Sequence, residues 1–207
     1  MEIIRGKHAS FIDTRALAGR IAGYDRVHLD IGTGDGRYVR HLALANPRCF
    51  VIGLDAAREN LAATSRRAPE NALFVIANAL CLPRGLHGLA ASITINFPWG
   101  SLLRGLLDDD PALLHGLTAV ARPGAGLDIR LNAGALAEAG WTLEAGAERV
   151  RRALVYSGFD VRAVARLSAA ELKALPATWA KRLAFGRDPR AVYLGATLAA
   201  QQIAMPA

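Results

Sequence analysis

Arg26-Val-His-Leu-Asp-Ile-Gly-Thr-Gly-Asp-Gly-Arg37 is the stretch that decides the fold. An apolar, β-favouring run enters a glycine turn, and a helical pattern follows from Arg37 to Ala45, stopped by Asn46-Pro47. Strand, tight turn and helix start together make a nucleotide or anion site, because the free amides of a helix N-terminus attract polar and negative groups. Working outward, Cys49-Phe-Val-Ile-Gly-Leu54 reads as a second strand ending at Asp55. Leu73–Ala77 reads as a third and Ser92–Asn96 as a fourth. Pro111–Arg122 is predicted helical, closed by Pro123-Gly124, with Gly126–Leu131 as a fifth strand. Val161–Leu167 and Ala191–Leu198 read as strands too. The last is apolar at nearly every position and suits a central antiparallel place. Ile3-Ile4 and the residues after Gly6 suggest a hairpin within residues 1–10. The expectation is an α/β domain with a mostly parallel sheet.

Composition narrows the class. The 207 residues are 52% hydrophobic, enough for one well-filled domain spanning 1–207. Two cysteines, Cys49 and Cys81, cannot build a disulfide framework or a thiolate zinc site, and none of the five histidines has metal-ligand spacing with another. No metal is expected. No apolar run reaches the roughly 18 residues of a spanning helix, and Met1–Lys7 is not leader-like, so a cytoplasmic address with no membrane partner is expected.

Charge says more once it is divided. Residues 1–148 carry 15 Lys/Arg and 15 Asp/Glu, while residues 149–207 carry ten against only Asp160, Glu171 and Asp188. The net +7 therefore lies in the last 59 residues. A neutral front and a basic back suit a polyanionic partner, nucleic acid above all. Genomic preference explains why only Lys7, Lys173 and Lys181 are lysines, but not why the excess is segregated.

The glycine turn is not a dinucleotide fingerprint. Its spacing is Gly32-Thr33-Gly34-Asp35-Gly36, and Arg37 stands where G-x-G-x-x-G wants its third glycine. Asp30 precedes the turn by two residues; a carboxylate there repels a pyrophosphate but suits a cationic ammonium group. The turn resembles motif I of the class I S-adenosylmethionine-dependent methyltransferases, in which an acid such as Asp55 holds the ribose hydroxyls.

Two tryptophan segments follow. Asn96-Phe-Pro-Trp-Gly-Ser101 places Trp99 at the mouth of strand four, where Pro98 and Gly100 break the strand; the alternative is a core tryptophan. Pro176-Ala-Thr-Trp-Ala-Lys-Arg-Leu-Ala-Phe-Gly-Arg187 sets Trp179 among Lys181, Arg182 and Arg187, as a protein gripping phosphates while stacking on a base would; the alternative is a short amphipathic helix with solvated charges. Trp141 reads as packing.

Taken in order, Tyr24–Arg37, Phe97-Pro-Trp-Gly-Ser-Leu-Leu103 and Trp179–Arg187 resemble the aminoglycoside-resistance 16S rRNA (adenine-N1) methyltransferases of the Kam/Npm type, which modify adenine 1408 of the decoding site. The resemblance implies a Rossmann-like class I methyltransferase fold with a seven-stranded sheet and an N-terminal hairpin. It implies S-adenosylmethionine as cofactor and 16S rRNA in the 30S subunit as partner of a monomer. It assigns Asp30, Gly32, Thr33, Gly34, Asp55, Ala79, Leu80 and Ser101 to the cofactor, and Trp99 and Trp179 to catalysis as the rings that sandwich a flipped adenine. Lys7, Arg66, Arg67, Lys181, Arg182 and Arg187 fall to rRNA binding, with residues 149–207 as the rRNA-facing part. The sequence departs from the family where Leu80 replaces an acid, Ala177 a hydroxyl residue (with Thr178 adjacent) and Pro189 a basic residue. The segments after strands two and five are also shorter. Rival readings are an N6-adenine methyltransferase, for which Asn96-Phe-Pro-Trp99 resembles the N-P-P-aromatic signature, and a non-catalytic RNA-binding homologue.

Overall fold

The computed structural model describes residues 1–186 and 188–199. In chain order the elements are β1 (Glu2–Arg5), β2 (His8–Phe11), α1 (Thr14–Ile21), β3 (Arg26–Ile31), α2 (Arg37–Ala45), β4 (Cys49–Asp55), α3 (Arg58–Ser65), β5 (Ala72–Ile76) and β6 (Ala90–Asn96). There follow α4 (Gly100–Leu107), α5 (Pro111–Val120), β7 (Ala121–Asn132), α6 (Ala133–Glu138), α7 (Leu143–Tyr156), β8 (Phe159–Arg166), α8 (Ala169–Ala174), α9 (Thr178–Ala184) and β9 (Ala191–Leu198).

One sheet runs β2-β1-β5-β4-β3-β6-β7-β9-β8. This corrects the expected seven-stranded, mostly parallel sheet. The hairpin does not stand apart: Ile3 of β1 pairs antiparallel with Val75, extending the sheet to nine strands. The physical reason is the edge of β5, an apolar strand whose open hydrogen-bonding side β1 covers. Four of the eight strand pairings are parallel and four antiparallel, the latter being the hairpin, its junction with β5, and both pairings of β9. The apolar Ala191–Leu198 run sits inside the sheet, antiparallel between β7 and β8, as its composition suggests. The helix from Pro111 ends at Val120, short of Arg122, and Pro123-Gly124 lies within β7. Proline is tolerated there because the register with β6 shifts and Arg122–Gly124 are exposed.

Burial explains the layers. On one sheet face Leu29, Ile31, Ile52, Ile93, Ile95, Leu127 and Ile129 pack against Leu17, Leu106, Leu113, Leu117 and Leu154 from α1, α4, α5 and α7. Trp141 packs on this cluster, half-buried. The other face is shared. Val39 and Leu61 of α2 and α3 cover Val51 and Phe74, while Ala180 and Leu183 of α9 pack with Phe97 and Leu172. No helix among the described residues is long and apolar enough to cross a membrane.

Candidate active site

Strand order reverses between β3 and β6, the place in an open α/β sheet where the carboxyl ends of strands leave a crevice. A cleft of about 510 Å³ opens there, within the usual range for small-molecule sites. Its floor is the glycine turn. The amides of Gly32 and Thr33 donate to the Leu54 carbonyl at 2.8 and 2.9 Å, folding the turn over the end of β4. Gly34 and Gly36 both have left-handed backbones. A Cβ on Gly36 would come within 2.4 Å of the Phe74 ring, so that glycine serves packing. A Cβ on Gly34 would meet nothing within 4 Å, and Gly34 lines the cleft, so that glycine leaves room for a ligand against the main chain.

Two carboxylates bound this floor. Asp55 ends β4, its Oδ2 accepting from the Gly34 amide at 2.7 Å and its Oδ1 from the Ala57 amide at 2.9 Å. Each oxygen keeps a lone pair for a hydroxyl donor. Asp30 is deeper, 1% exposed. Its Oδ1 accepts from the Thr94 hydroxyl at 2.5 Å and from Nδ2 of Asn96 at 3.0 Å. Burial pushes its carboxyl up to about 6, against the pull of those donors. Such a group is an incomplete ion pair, and a cationic ligand at the cleft would complete it.

The buried support of Asp30 was not legible as a site. Nε2 of His28 lies 3.0 Å from Thr94 Oγ1, and Nδ1 lies 2.8 Å from Ser92 Oγ. The Thr94 hydroxyl proton is spent on Asp30, so Nε2 carries the imidazole proton and Nδ1 accepts from Ser92. Burial holds the imidazole neutral, with its pKa lowered to about 4. On the far side Nη1 of Arg130 donates to Oδ1 of Asn96 at 2.9 Å, and the guanidinium lies 5.4 Å from the Tyr193 ring centroid. Registers explain the assembly. His28 pairs with Ser92, Asp30 with Thr94, Asn96 with Arg130, and Arg130 with Tyr193, so a polar stripe crosses four strands on one face. The signal was present as polar residues at every second position of strands otherwise fully apolar.

Trp99 and Trp179 meet at the cleft mouth, ring centroids 5.4 Å apart. Phe97, buried with φ 54°, reverses the chain after β6, and Trp99 then caps α4. Trp99 also packs on the core, so the core alternative describes part of its environment. Trp179 is 39% exposed, with the Arg182 guanidinium 5.0 Å from its ring centroid.

Of the other expected site residues, Thr33, Ala79, Ser101 and Arg182 line the cleft. Leu80 does not; it packs on the core, next to Gly105. Lys181 is exposed on α9, outside the cleft lining. Arg187 lies outside the described residues. Lys7, Arg66 and Arg67 cluster: the Gly6 amide donates to Ser65 Oγ, and the stem of Arg66 packs against Gly6. Because β1 runs antiparallel to β5 from Ile3 opposite Val75, the hairpin tip lies toward the amino ends of the strands, away from the cleft. Tyr38, Asn60, Asn78 and Thr178, none expected, also line the cleft. Among the described residues no group of three or more His, Cys, Asp or Glu could hold a metal.

The sequence profile of the NpmA family, described as 16S rRNA (adenine(1408)-N(1))-methyltransferase, matches residues 2–198. The chain belongs to this family. A 16S rRNA (adenine(1408)-N(1))-methyltransferase of Escherichia coli is 33% identical, the match covering 90% of this chain and 94% of the relative. One from Streptoalloteichus hindustanus is 35% identical over 80% of this chain and 83% of its own. Among solved structures, the 16S rRNA methyltransferase KamB superposes with a TM-score of 0.87 at 30% identity, covering 96% of this chain and 100% of that one. A tryptophan-to-alanine mutant of the enzyme from Catenulisporales acidiphilia, solved with its cosubstrate SAM, gives 0.86 at 27% identity, with both chains fully covered. Membership bears on the N6 rival too. In this member of the family the Asn96 side chain, at the cleft wall, donates from Nδ2 to Asp30 and accepts at Oδ1 from Arg130, so it already supports the carboxylate beneath the cofactor turn.

Proposed function

We infer that the protein methylates N1 of adenine 1408 in 16S rRNA, using S-adenosylmethionine, and so confers aminoglycoside resistance. The observation that carries this reading is the pair Trp99 and Trp179 over a cleft floored by a glycine turn and two carboxylates. Bound there, S-adenosylmethionine would supply a sulfonium methyl for attack by the N1 lone pair, the electrons of the broken carbon–sulfur bond staying on sulfur as S-adenosylhomocysteine leaves.

The protein's part is binding and alignment. Asp30 faces the ammonium, Asp55 accepts from the ribose hydroxyls, and Gly34 allows close approach of the main chain. Ala79 and Ser101 border the same space. Trp99 and Trp179 hold the extruded adenine, offsetting an unstacking cost of a few kcal/mol. N1 is nucleophilic at neutral pH, so no general base is assigned; alignment and exclusion of water supply the acceleration. Methylation leaves a positive charge on the Watson–Crick edge, or costs an N6 proton. Either change removes an acceptor that an aminoglycoside would use.

Docking is proposed on the folded 30S subunit, by a monomer working in the cytoplasm. The charge distribution supports it. Of the described cations after residue 148, Arg149, Arg151, Arg152, Arg162, Arg166 and Arg190 lie in ion pairs with carboxylates. Lys173, Lys181 and Arg182 do not, and they lie on the two helices at Trp179. Lys7, Arg66 and Arg67 form a second contact. Reverse transcription of 16S rRNA from 30S subunits incubated with protein and S-adenosylmethionine tests the whole reading: a stop at adenine 1408 is expected. No stop with cofactor binding intact would leave the non-catalytic reading in its place.

A further inference from the structure

The loop and helix bearing Trp179 touch the cofactor turn through a single polar contact. Thr178 Oγ1 donates to Asp35 Oδ2 at 2.6 Å, across 143 residues of sequence. Among the described residues this is the one side-chain hydrogen bond joining the segment Pro176–Gly186 to the rest of the chain. Elsewhere that segment is held by apolar packing of Ala177, Ala180 and Leu183 beside Phe97 and Leu172, by the contact of Trp179 with Trp99, and by Lys173 over the Phe185 ring, none of which is a directional bond to the cofactor turn.

Both ends of the bond are well placed to transmit position. Asp35 lies between Gly34 and Gly36, at the centre of the turn. Its Oδ1 accepts from the Arg37 amide at 3.2 Å, and its Oδ2 lies 3.3 Å from Arg37 Nε, so the carboxylate is fixed to the start of α2. Thr178 is the first residue of α9 and immediately precedes Trp179. The helix is not capped by a side chain at Ala177, so the Thr178 hydroxyl is the polar group that anchors its beginning. A hydroxyl two residues before the tryptophan would fall at Ala177, which is buried among apolar neighbours; position 178 instead points its hydroxyl across the cleft.

We propose that Thr178, acting through Asp35, is a positioning residue that ties the Trp179 indole to the cofactor turn, so that filling the turn sets the ring for methyl transfer. The proposal rests on the reading of Trp179 as the platform for the base. The test compares Thr178→Val and Thr178→Ser with the unaltered protein, using 30S subunits, calorimetry for S-adenosylmethionine, and tryptophan emission in a Trp141→Phe background that leaves Trp99 and Trp179 as reporters. Thr178→Val is expected to bind S-adenosylmethionine within about threefold of normal while kcat falls about tenfold and KM for 30S stays within about threefold. Its emission no longer responds to S-adenosylmethionine, and Thr178→Ser restores both readouts. Asp35→Ala approaches the bond from the other side by removing the acceptor and is expected to share the loss in kcat, which keeps the test open should Thr178→Val fail to fold. Normal kcat in Thr178→Val, an emission response that survives in it, or Thr178→Ser as slow as Thr178→Val overturns the proposal. Trp179→Ala measured alongside separates the two readings: if it is fully active, the platform reading falls, whereas an inactive Trp179→Ala with a normal Thr178→Val removes the tie alone.

Discussion

The indoles of Trp99 and Trp179 pack against one another at a tilt, centroids 5.4 Å apart and planes 30° apart. A base between two rings needs two stacking distances, about 6.8 Å at the 3.4 Å spacing of stacked bases. The pair must therefore part by more than an ångström to admit adenine. It gives up a mutual contact worth about 0.5–1.5 kcal/mol for base stacking worth about 1–3 kcal/mol per base. Trp99→Ala and Trp179→Ala should each lower methyl transfer about 10- to 100-fold while leaving S-adenosylmethionine affinity nearly unchanged, with Trp179→Phe intermediate. Calorimetry beside 30S methylation checks this; an equal loss of cofactor binding would make the rings structural.

Asp55 should govern cofactor affinity. Removing a charged acceptor costs about 1.5–3 kcal/mol, so Asp55→Ala should weaken S-adenosylmethionine binding roughly 10- to 100-fold. Part of this reflects the turn, because the Gly34 amide loses its acceptor. Unchanged affinity by calorimetry would remove Asp55 from the site.

Cofactor affinity should depend on pH through Asp30. Its carboxyl sits at about 6 through burial, and an ammonium partner needs it ionised. Affinity is expected to be flat above pH 7 and to fall toward tenfold per unit below 6, with a proton released on binding near pH 6. Buffers of different ionisation enthalpy would detect that proton. Asp30→Asn should bind weakly with no such slope.

Stability should show opposite signs for two neighbours. The folded pKa of Asp30 is raised from 3.8 to about 6, so the native state holds the extra proton and stability falls as pH rises through that window. The folded pKa of His28 is lowered from 6.5 to about 4, so the unfolded state holds the extra proton and stability rises across its window. Over pH 4 to 6 the two largely cancel. Asp30→Asn removes one side of the balance. Its stability relative to the unaltered protein should climb by about 2 kcal/mol between pH 4 and 6, most of a full difference of about 3 kcal/mol at about 1.4 kcal/mol per pKa unit. Denaturant titrations at several pH values measure the difference, and a constant difference would contradict it.

Arg66 and Arg67 should act on RNA alone. The double alanine variant is expected to weaken 30S binding and flatten its salt dependence by about one to two logarithmic units, with cofactor affinity untouched. An unchanged salt slope would take this cluster off the RNA surface.

The parts of this protein legible in its sequence were those with local causes. The glycine turn, the five parallel strands around it and α2 follow from side-chain periodicity and breakers, and β9 was placed by its unbroken apolar run. What escaped was set by distant pairing. The hairpin's junction with β5 hangs on Ile3 meeting Val75, seventy-two residues apart, and no local pattern marks it. Pro123-Gly124 looked like a helix stop but lies within β7, because the shifted register with β6 leaves those residues exposed. In the site, Asp30, Asp55, Trp99 and Trp179 stood out by residue type and spacing. His28, Thr94 and Arg130 matter only because registers stack them across strands, and Thr178 only because α9 folds back over the turn. Leu80 was carried over by position alone, and its side chain turned to the core.

On the proposed docking, the hairpin bears on selectivity in another way. Its basic tip and the tryptophan mouth sit at opposite ends of one hydrogen-bonded sheet, offset along the strands by about 20 Å, the length of a seven-residue strand such as β4, and across the sheet by the steps from β1 to β6. A sheet joined edge to edge does not stretch, so these two contacts keep a fixed span. A folded RNA that presents phosphates and an extrudable adenine at that span meets both at once. A loose strand with the same bases holds no such interval. If both contacts meet RNA as proposed, the sheet is a caliper, gauging the shape of the RNA before the cleft tests a single base.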